Sequence, residues 1–148
     1  MGGPPISTFQ SIKVIQTLEP AAKNATWSST GVDRYGYGDC VMLVNLGADA
    51  SLSGSVYYTI VFEDSDTSVS TGFGAIAAAD MEGGLSSTYV LNATTKDQQV
   101  LVRGYKGSKR WVRVTATLTG SDSGTCPTSC TVILGNPTII PTTPVTEA

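Results

Sequence analysis

Histidine is missing altogether from the 148 residues. That removes the usual general base and the commonest metal ligand, and with them Ser–His or Cys–His nucleophilic pairs. Cysteine is scarce: Cys40, Cys126 and Cys130 are all there is. A structural zinc site takes four Cys or His ligands, so three thiols and no imidazole do not make one. Charge is thin as well, with nine Lys and Arg against twelve Asp and Glu and a net charge of −3. Without a basic field to displace counterions from phosphates, a nucleic-acid partner is not expected. No apolar run approaches the ~18 residues of a membrane-spanning helix. The opening residues lack a basic start followed by an apolar stretch, so no secretory signal is expected either. The glycines follow neither the G-x-x-x-x-G-K-[ST] nor the G-x-G-x-x-G spacing, and no phosphate cradle is indicated.

What is present is β-strand patterning. Sixteen Gly and seven Pro, with abundant Ser and Thr, suit short strands joined by many turns. The strongest signal lies in residues 98–118. Val112, Val114, Ala116 and Leu118 alternate with Trp111, Arg113, Thr115 and Thr117, the period-two pattern of a half-buried strand. Residues 100–105 are also β-formers, and the short polar segment between the two predicts an antiparallel hairpin. Residues 55–63 alternate in the same way, with Val56, Tyr58, Ile60 and Phe62 on one face. Residues 40–46 are continuously apolar, which predicts a strand buried on both faces, with Cys40 a small core residue. Shorter strands are expected at 87–91 and 131–134. Seven or eight strands and no convincing amphipathic helix or internal repeat predict an all-β chain: an antiparallel β-sandwich, jelly-roll-like, over residues 26–136.

The two ends read differently. Residues 1–25 are apolar without a clean period, and Glu19-Pro20 is expected to stop any strand at 11–18. We read them as an N-terminal arm whose Phe9, Ile12 and Ile15 need burial, either on the chain's own sandwich or on a neighbour. Residues 137–148 place Ile139 and Ile140 among prolines and threonines, an extended C-terminal tail and a second candidate arm.

Several constellations bear on chemistry. Glu63, Asp64 and Asp66 begin a D-x-D spacing, but no glycine or distal Glu completes a calcium loop, and a polar turn fits better. Nothing sets a second carboxylate opposite them for acid–base work. Ser108 with Lys109 lacks the spacing of a nucleophilic dyad. Cys126 and Cys130 lie in a Gly/Ser/Pro-rich stretch and could close a small disulfide loop in an oxidising medium, or remain free in a reducing one. Lys106, Lys109, Arg110 and Arg113, beside Arg103, form a basic cluster: a solvated connection first, a surface for an acidic protein second and for nucleic acid third. Trp27, Tyr35, Tyr37 and Trp111 could stack on sugars, against the plainer reading of Trp111 as a packed or interface residue. No enzyme is expected, and no cofactor or metal.

One resemblance adds to this. The segment Gly107-Ser108-Lys109-Arg110-Trp111-Val112-Arg113-Val114, with Gly31-Val32-Asp33 and Tyr37-Gly38-Asp39 before it and Leu134-Gly135-Asn136-Pro137 after it, resembles small β-rich virion proteins of tailed bacteriophages. The likeness spans about residues 10–137. The Met-Gly-Gly-Pro-Pro start and the Cys-x₃-Cys stretch depart from the pattern. The resemblance implies a capsid decoration, or cement, protein made in the host cytoplasm and placed on the capsid surface, with the major capsid protein as partner. It also implies a homo-oligomer, a trimer before a dimer. Phe9, Ile12, Ile15, Lys109, Arg110, Trp111, Arg113, Ile139 and Ile140 are then the candidate interface. A neck, tail or fibre-base component is the nearest alternative, and a carbohydrate-binding sandwich the next.

Overall fold

The computed structural model describes residues 11–138. Ten strands follow in chain order: β1 (Ile12–Lys23), β2 (Trp27–Ser28), β3 (Val32–Asp33), β4 (Tyr37–Leu46), β5 (Tyr57–Ser65), β6 (Gly74–Ala75), β7 (Thr88–Leu91), β8 (Gln99–Tyr105), β9 (Trp111–Thr119) and β10 (Cys126–Pro137). The only helical pieces described are three single turns between β5 and β7. The first sheet has the order β1-β10-β4-β8 and the second β2-β9-β5-β6, with β3 also on β9 and β7 also on β5.

Every pairing is antiparallel, and the order is that of a double-wound ribbon. If β2/β3 and β6/β7 each count as one interrupted strand, the chain has eight strand positions. The first then pairs with the eighth, the second with the seventh, the third with the sixth and the fourth with the fifth. Rolled up, that ribbon is a jelly roll. The two inner faces supply the core. Met42, Val44, Val132 and Leu134 of the first sheet face Ile60, Phe62, Val112 and Val114 of the second, all fully buried or nearly so. The alternation in β5 and β9 thus faces the way their sequences indicate. Burial of such side chains stabilises by about 1.5–3 kcal/mol each.

Four expectations are corrected. Residues 98–118 do not form a hairpin: β8 pairs with β4 in the first sheet and β9 with β5 in the second. The alternation specifies a buried face, and two strands can share one core across the sandwich as readily as side by side. The boundary between arm and sandwich moves from 25/26 towards the N-terminus, because β1 pairs with β10 from Ile12↔Gly135 to Lys23↔Cys126. Pro20 does not end that strand. β1 is an edge strand, where a missing N–H is tolerated, and its register shifts at Gln16/Leu18 and Leu18/Ala21 absorb the irregularity. Residues 40–46 are buried on one face only: Cys40, Met42, Val44 and Leu46 point inward, Val41 and Leu43 are half-buried, and Asn45 is exposed. Finally, Cys126 and Cys130 lie in β10, not in a loop, and all three thiols are free and buried. Four residues along one strand separate the two by about 13 Å, far beyond the ~7 Å Cα limit for a disulfide.

Burial pushes the Cys40 and Cys130 thiols up to about 12 and raises Cys126 as well. Thiolate is the reactive form. The native protein is therefore expected to show no fast-reacting thiol towards Ellman's reagent at pH 8 and all three after denaturation, with or without prior reductant. A native-state disulfide between Cys126 and Cys130 would leave only one.

Candidate interaction surfaces

The motif that carries the sequence resemblance lies where the chain passes from β8 to β9. At its centre is Asp64, 1% exposed. One carboxylate oxygen accepts a hydrogen bond from the Tyr105 hydroxyl at 2.9 Å, and the other accepts one from the Lys109 ammonium at 2.8 Å. The Tyr105 oxygen accepts in turn from the Lys109 backbone N–H. Arg34, itself buried, lies 4.5 Å from the Tyr105 ring centre and donates to the carbonyls of Gly107 and Lys109. Five residues, 106–110, are thus held from both sides.

Three further cations of the cluster are engaged too, while the Lys106 side chain is exposed and only its backbone N–H is held, by the Asp80 carbonyl. Arg110 makes a two-pronged bond to Asp33, at 2.8 and 2.6 Å, and lies over the rings of Tyr35 and Trp111. Arg113 bonds Glu63 at 2.6 Å and covers Phe73. Arg103 donates to the carbonyls of Ser86 and Val102. Apart from Lys106, the basic cluster is therefore paired internally. Lys109, Arg110 and Arg113 brace the corner and the second sheet, and they do not form an open positive surface. Trp111 is half-buried beside Gly31, and Trp27 is in the core. Of the four aromatics considered for sugar stacking, Tyr35 is the one that is well exposed, and Arg110 already lies against it.

The open apolar surface is elsewhere, on the outer face of the first sheet. Strand registers set its side chains in rows: Val14, Ile133 and Val41; then Gln16, Thr131, Leu43 and Val102; then Ser129, Asn45 and Val100. No residue in these rows is charged. Val14, Val100 and Val102 are each about half exposed, at 51%, 51% and 47%. Leu43, Asn45, Val100, Ser129, Thr131 and Ile133 line a shallow depression of about 270 Å³. A second, of about 330 Å³, continues it past Asn45 and Ser129 to Pro20 and Pro127. The outer face of the second sheet is the opposite in character, carrying the Arg113–Glu63 pair and a line of threonines. Contiguous apolar surface with polar surroundings marks a contact site in soluble proteins.

Of the candidate interface residues, Ile12 lies at the start of this sheet and is half-buried, and Ile15 packs inward against the core. Phe9, Ile139 and Ile140 fall outside the described residues. The valines of β8 and the outer residues of β4 and β10 were not singled out from sequence. Their signal is present in the sequence, but the continuous apolar run at 40–46 reads as burial on both faces and residues 100–105 read only as β-formers of a hairpin.

No family model matches the chain, and no curated protein does. Solved structures similar to it include a chain reported under "Bacillus endospore appendages form a novel family of disulfide-linked pili", with TM-score 0.36 and 16% identity over 91% of this chain and 98% of that one. Turnip yellow mosaic virus gives TM-score 0.34 and 12% identity, over 94% and 87%. Desmodium yellow mottle tymovirus gives 0.34 and 9%, over 97% of both chains. The neighbours are thus pilus and virus proteins, at a likeness too weak to carry a functional argument. Among the described residues no three Cys, Asp or Glu side chains converge as a metal-binding group.

The corner makes a prediction in pH. The bond from Asp64 holds the Lys109 ammonium above its ordinary 10.5. A group whose pKa is raised on folding gives its full stabilisation below the unfolded value and loses it as pH climbs through the folded one. The unfolding temperature is expected to fall above about pH 10.5 more steeply in wild type than in Lys109→Met. Tyr105→Phe, which removes two hydrogen bonds, one to the buried Asp64 carboxylate and one from the Lys109 N–H, is expected to cost about 2–3 kcal/mol in urea unfolding at pH 7. Parallel alkaline profiles of wild type and Lys109→Met would rule the linkage out.

Proposed function

We propose that this chain is a structural virion protein that binds the outer surface of a tailed-phage capsid and stabilises it. The observation that carries the reading is the uncharged outer face of the first sheet, built from Val14, Val41, Leu43, Val100, Val102 and Ile133. The jelly roll itself does not choose a function, since capsid, lectin and cupin domains share it. The phage reading comes from the motif around Lys109–Val114 and its flanking Gly-containing segments. A broad, open apolar face suits a protein surface better than a small ligand, because it has breadth and no enclosing walls.

The chain ends add to it. Ile12 faces Gly135 across the β1–β10 ladder, so both termini leave from the same corner of the first sheet. Phe9, Ile139 and Ile140 lie a few residues beyond that corner. Contacts linked in this way act at high effective concentration, so several weak ones yield firm occupancy. A homo-oligomer, trimer before dimer, would multiply them further. A neck, tail or fibre-base role shares the same physics and is separated from decoration by copy number per particle. Carbohydrate binding is disfavoured by the burial of Trp27 and the engagement of Tyr35 and Trp111 by Arg110.

Purified protein mixed with expanded capsids that lack it should co-sediment to saturation. Val100→Asp with Val102→Asp should abolish that while leaving circular dichroism and unfolding temperature close to wild type. A chain lacking residues 1–10 should bind at least tenfold more weakly. Undiminished occupancy by the double aspartate variant would remove the face from the mechanism.

A further inference from the structure

The end of the sandwich opposite the chain termini gathers three loops: residues 47–56, 92–98 and 120–125. Each takes one carboxylate out of water, with Asp49 2% exposed, Asp97 9% and Asp122 9%. The ion pairs among the described residues, Lys109–Asp64, Arg110–Asp33 and Arg113–Glu63, include none of the three. An ionised carboxylate is costly to bury without a partner.

Counting hydrogens shows the shortfall. Asp97 accepts from the Asp49 backbone N–H at 2.8 Å. Asp122 accepts from the Gly124 N–H at 2.8 Å and from the Tyr58 hydroxyl at 2.6 Å. Asp49 Oδ1 accepts from the Ser51 N–H at 2.9 Å and lies 2.6 Å from Ser51 Oγ. The same Ser51 Oγ is also in close contact with Asp122 Oδ1. A hydroxyl has one hydrogen, so one of these two contacts is oxygen against oxygen with nothing between. The single Tyr58 hydrogen likewise has two acceptors, Asp122 and the Lys23 carbonyl at 3.0 Å. Asp49 Oδ2, fully buried, meets no donor at all.

We propose that the Asp49–Ser51–Asp122 cluster is a binding site for a hard divalent cation, calcium in preference to magnesium, that ties loops 47–56 and 120–125 together. The donors are all oxygens, which excludes soft metals. They come from two separate loops, and calcium's larger, more variable coordination accepts such a set more readily than magnesium's near-ideal octahedron does. Asp49 Oδ2 is the unsatisfied ligand, Asp122 the second carboxylate, and Ser51 Oγ, backbone carbonyls and water complete the shell. With two carboxylates and not three or four, the dissociation constant falls in the weak range of extracellular calcium modules, about 0.1–1 mM. No sequence motif announces the site, because Asp49 and Asp122 are 73 positions apart.

The test uses the full chain stripped with EDTA, with no capsid present, so it stands or falls separately from the virion reading. Calorimetric titration with CaCl₂ should show one saturable site, and MgCl₂ at the same concentrations should bind at least tenfold more weakly. Calcium at tenfold the dissociation constant should raise the unfolding temperature by about 4 °C. Tb³⁺ should give luminescence sensitised through Tyr58 that calcium displaces. In EDTA, Asp49→Asn should be at least as stable as wild type, because one of two facing charges is gone; in calcium the order should reverse. Asp122→Asn provides the same comparison should Asp49→Asn fold poorly. No calcium-dependent shift and no reversal, or a wild type that is more stable at pH 5 than at pH 7 in EDTA and indifferent to calcium, would overturn the proposal. The last result would assign the gap to a shared proton instead.

Discussion

Asp64 decides how the chain passes from one sheet to the other. It sits inside β5, in the second sheet, and its two oxygens hold the end of β8 through Tyr105 and the start of β9 through Lys109. The passage of residues 106–110 is therefore anchored on both sides of the gap between the sheets. Arg34 grips the backbone of the same passage and stacks on Tyr105, so β3's neighbourhood is fixed to it as well. A buried ionic cluster is weak evidence for net stability, because desolvation offsets most of its attraction. Its effect is on alternatives. A one-residue slip of β9 would turn Val112, Val114 and Ala116 to solvent, and it would also pull Lys109 away from a carboxylate that has no other cation. The core makes the sandwich favourable, and the corner makes one register of it favourable.

The same arrangement explains why the two outer faces differ. In the second sheet, the cations that follow the corner run along the outer face and find acids across the strands, Arg113 with Glu63 and Arg110 with Asp33. That face is complete in water. In the first sheet the outward positions of β1, β4, β8 and β10 are valine, leucine, isoleucine, threonine, serine, asparagine and glutamine through the central rows, and nothing in the described chain covers them. The asymmetry lies in the placement of charge. A sheet whose outer face had no role beyond solubility would carry lysines and glutamates there, as the second sheet carries its pairs. The virion reading accounts for that omission by giving the face a protein to lie against.

How much of this was legible in the sequence follows from the range of the signal. Inward and outward positions within β5 and β9 were correct because alternation is local and each residue reports on its own side chain. Strand partners were not, because β8 and β9 carry the same alternation whether they meet edge to edge or face to face. Pro20 misled for a related reason: proline forbids a central strand, and only the topology reveals that β1 is an edge. Cys126 and Cys130 looked like a loop because Gly, Ser and Pro surround them, yet both fall on the inward parity of β10. The basic motif was legible as a feature but not as a structure, since Asp33, Glu63 and Asp64 lie 45 to 77 positions from the cations they hold. Asp49 and Asp122 were invisible for the same reason.

The geometry also keeps the two proposals apart. β10 begins at Cys126, beside the loop carboxylates, and ends at Pro137, where it pairs with Tyr37 near the exit of both termini. Twelve residues of extended strand span about 40 Å, so the carboxylate end and the terminal end of the first sheet are roughly that far apart, with the apolar face between them. The nearest row of the face, Ser129, Asn45 and Val100, is much closer, three or four residues of strand from Asp49 and Asp97 and about one to two Debye lengths at physiological salt, so a bound cation could act on that row through its field as well as by stiffening the loops that flank it. Of those loops, 47–56 and 120–125 continue directly into or out of β4, β5, β9 and β10. Holding them fixed would favour the ordered first sheet that a broad protein contact needs, because order present before binding is not charged against the contact itself. The ion and the apolar face are therefore independent in their chemistry but act in the same direction, both lowering the entropy that assembly would otherwise have to overcome.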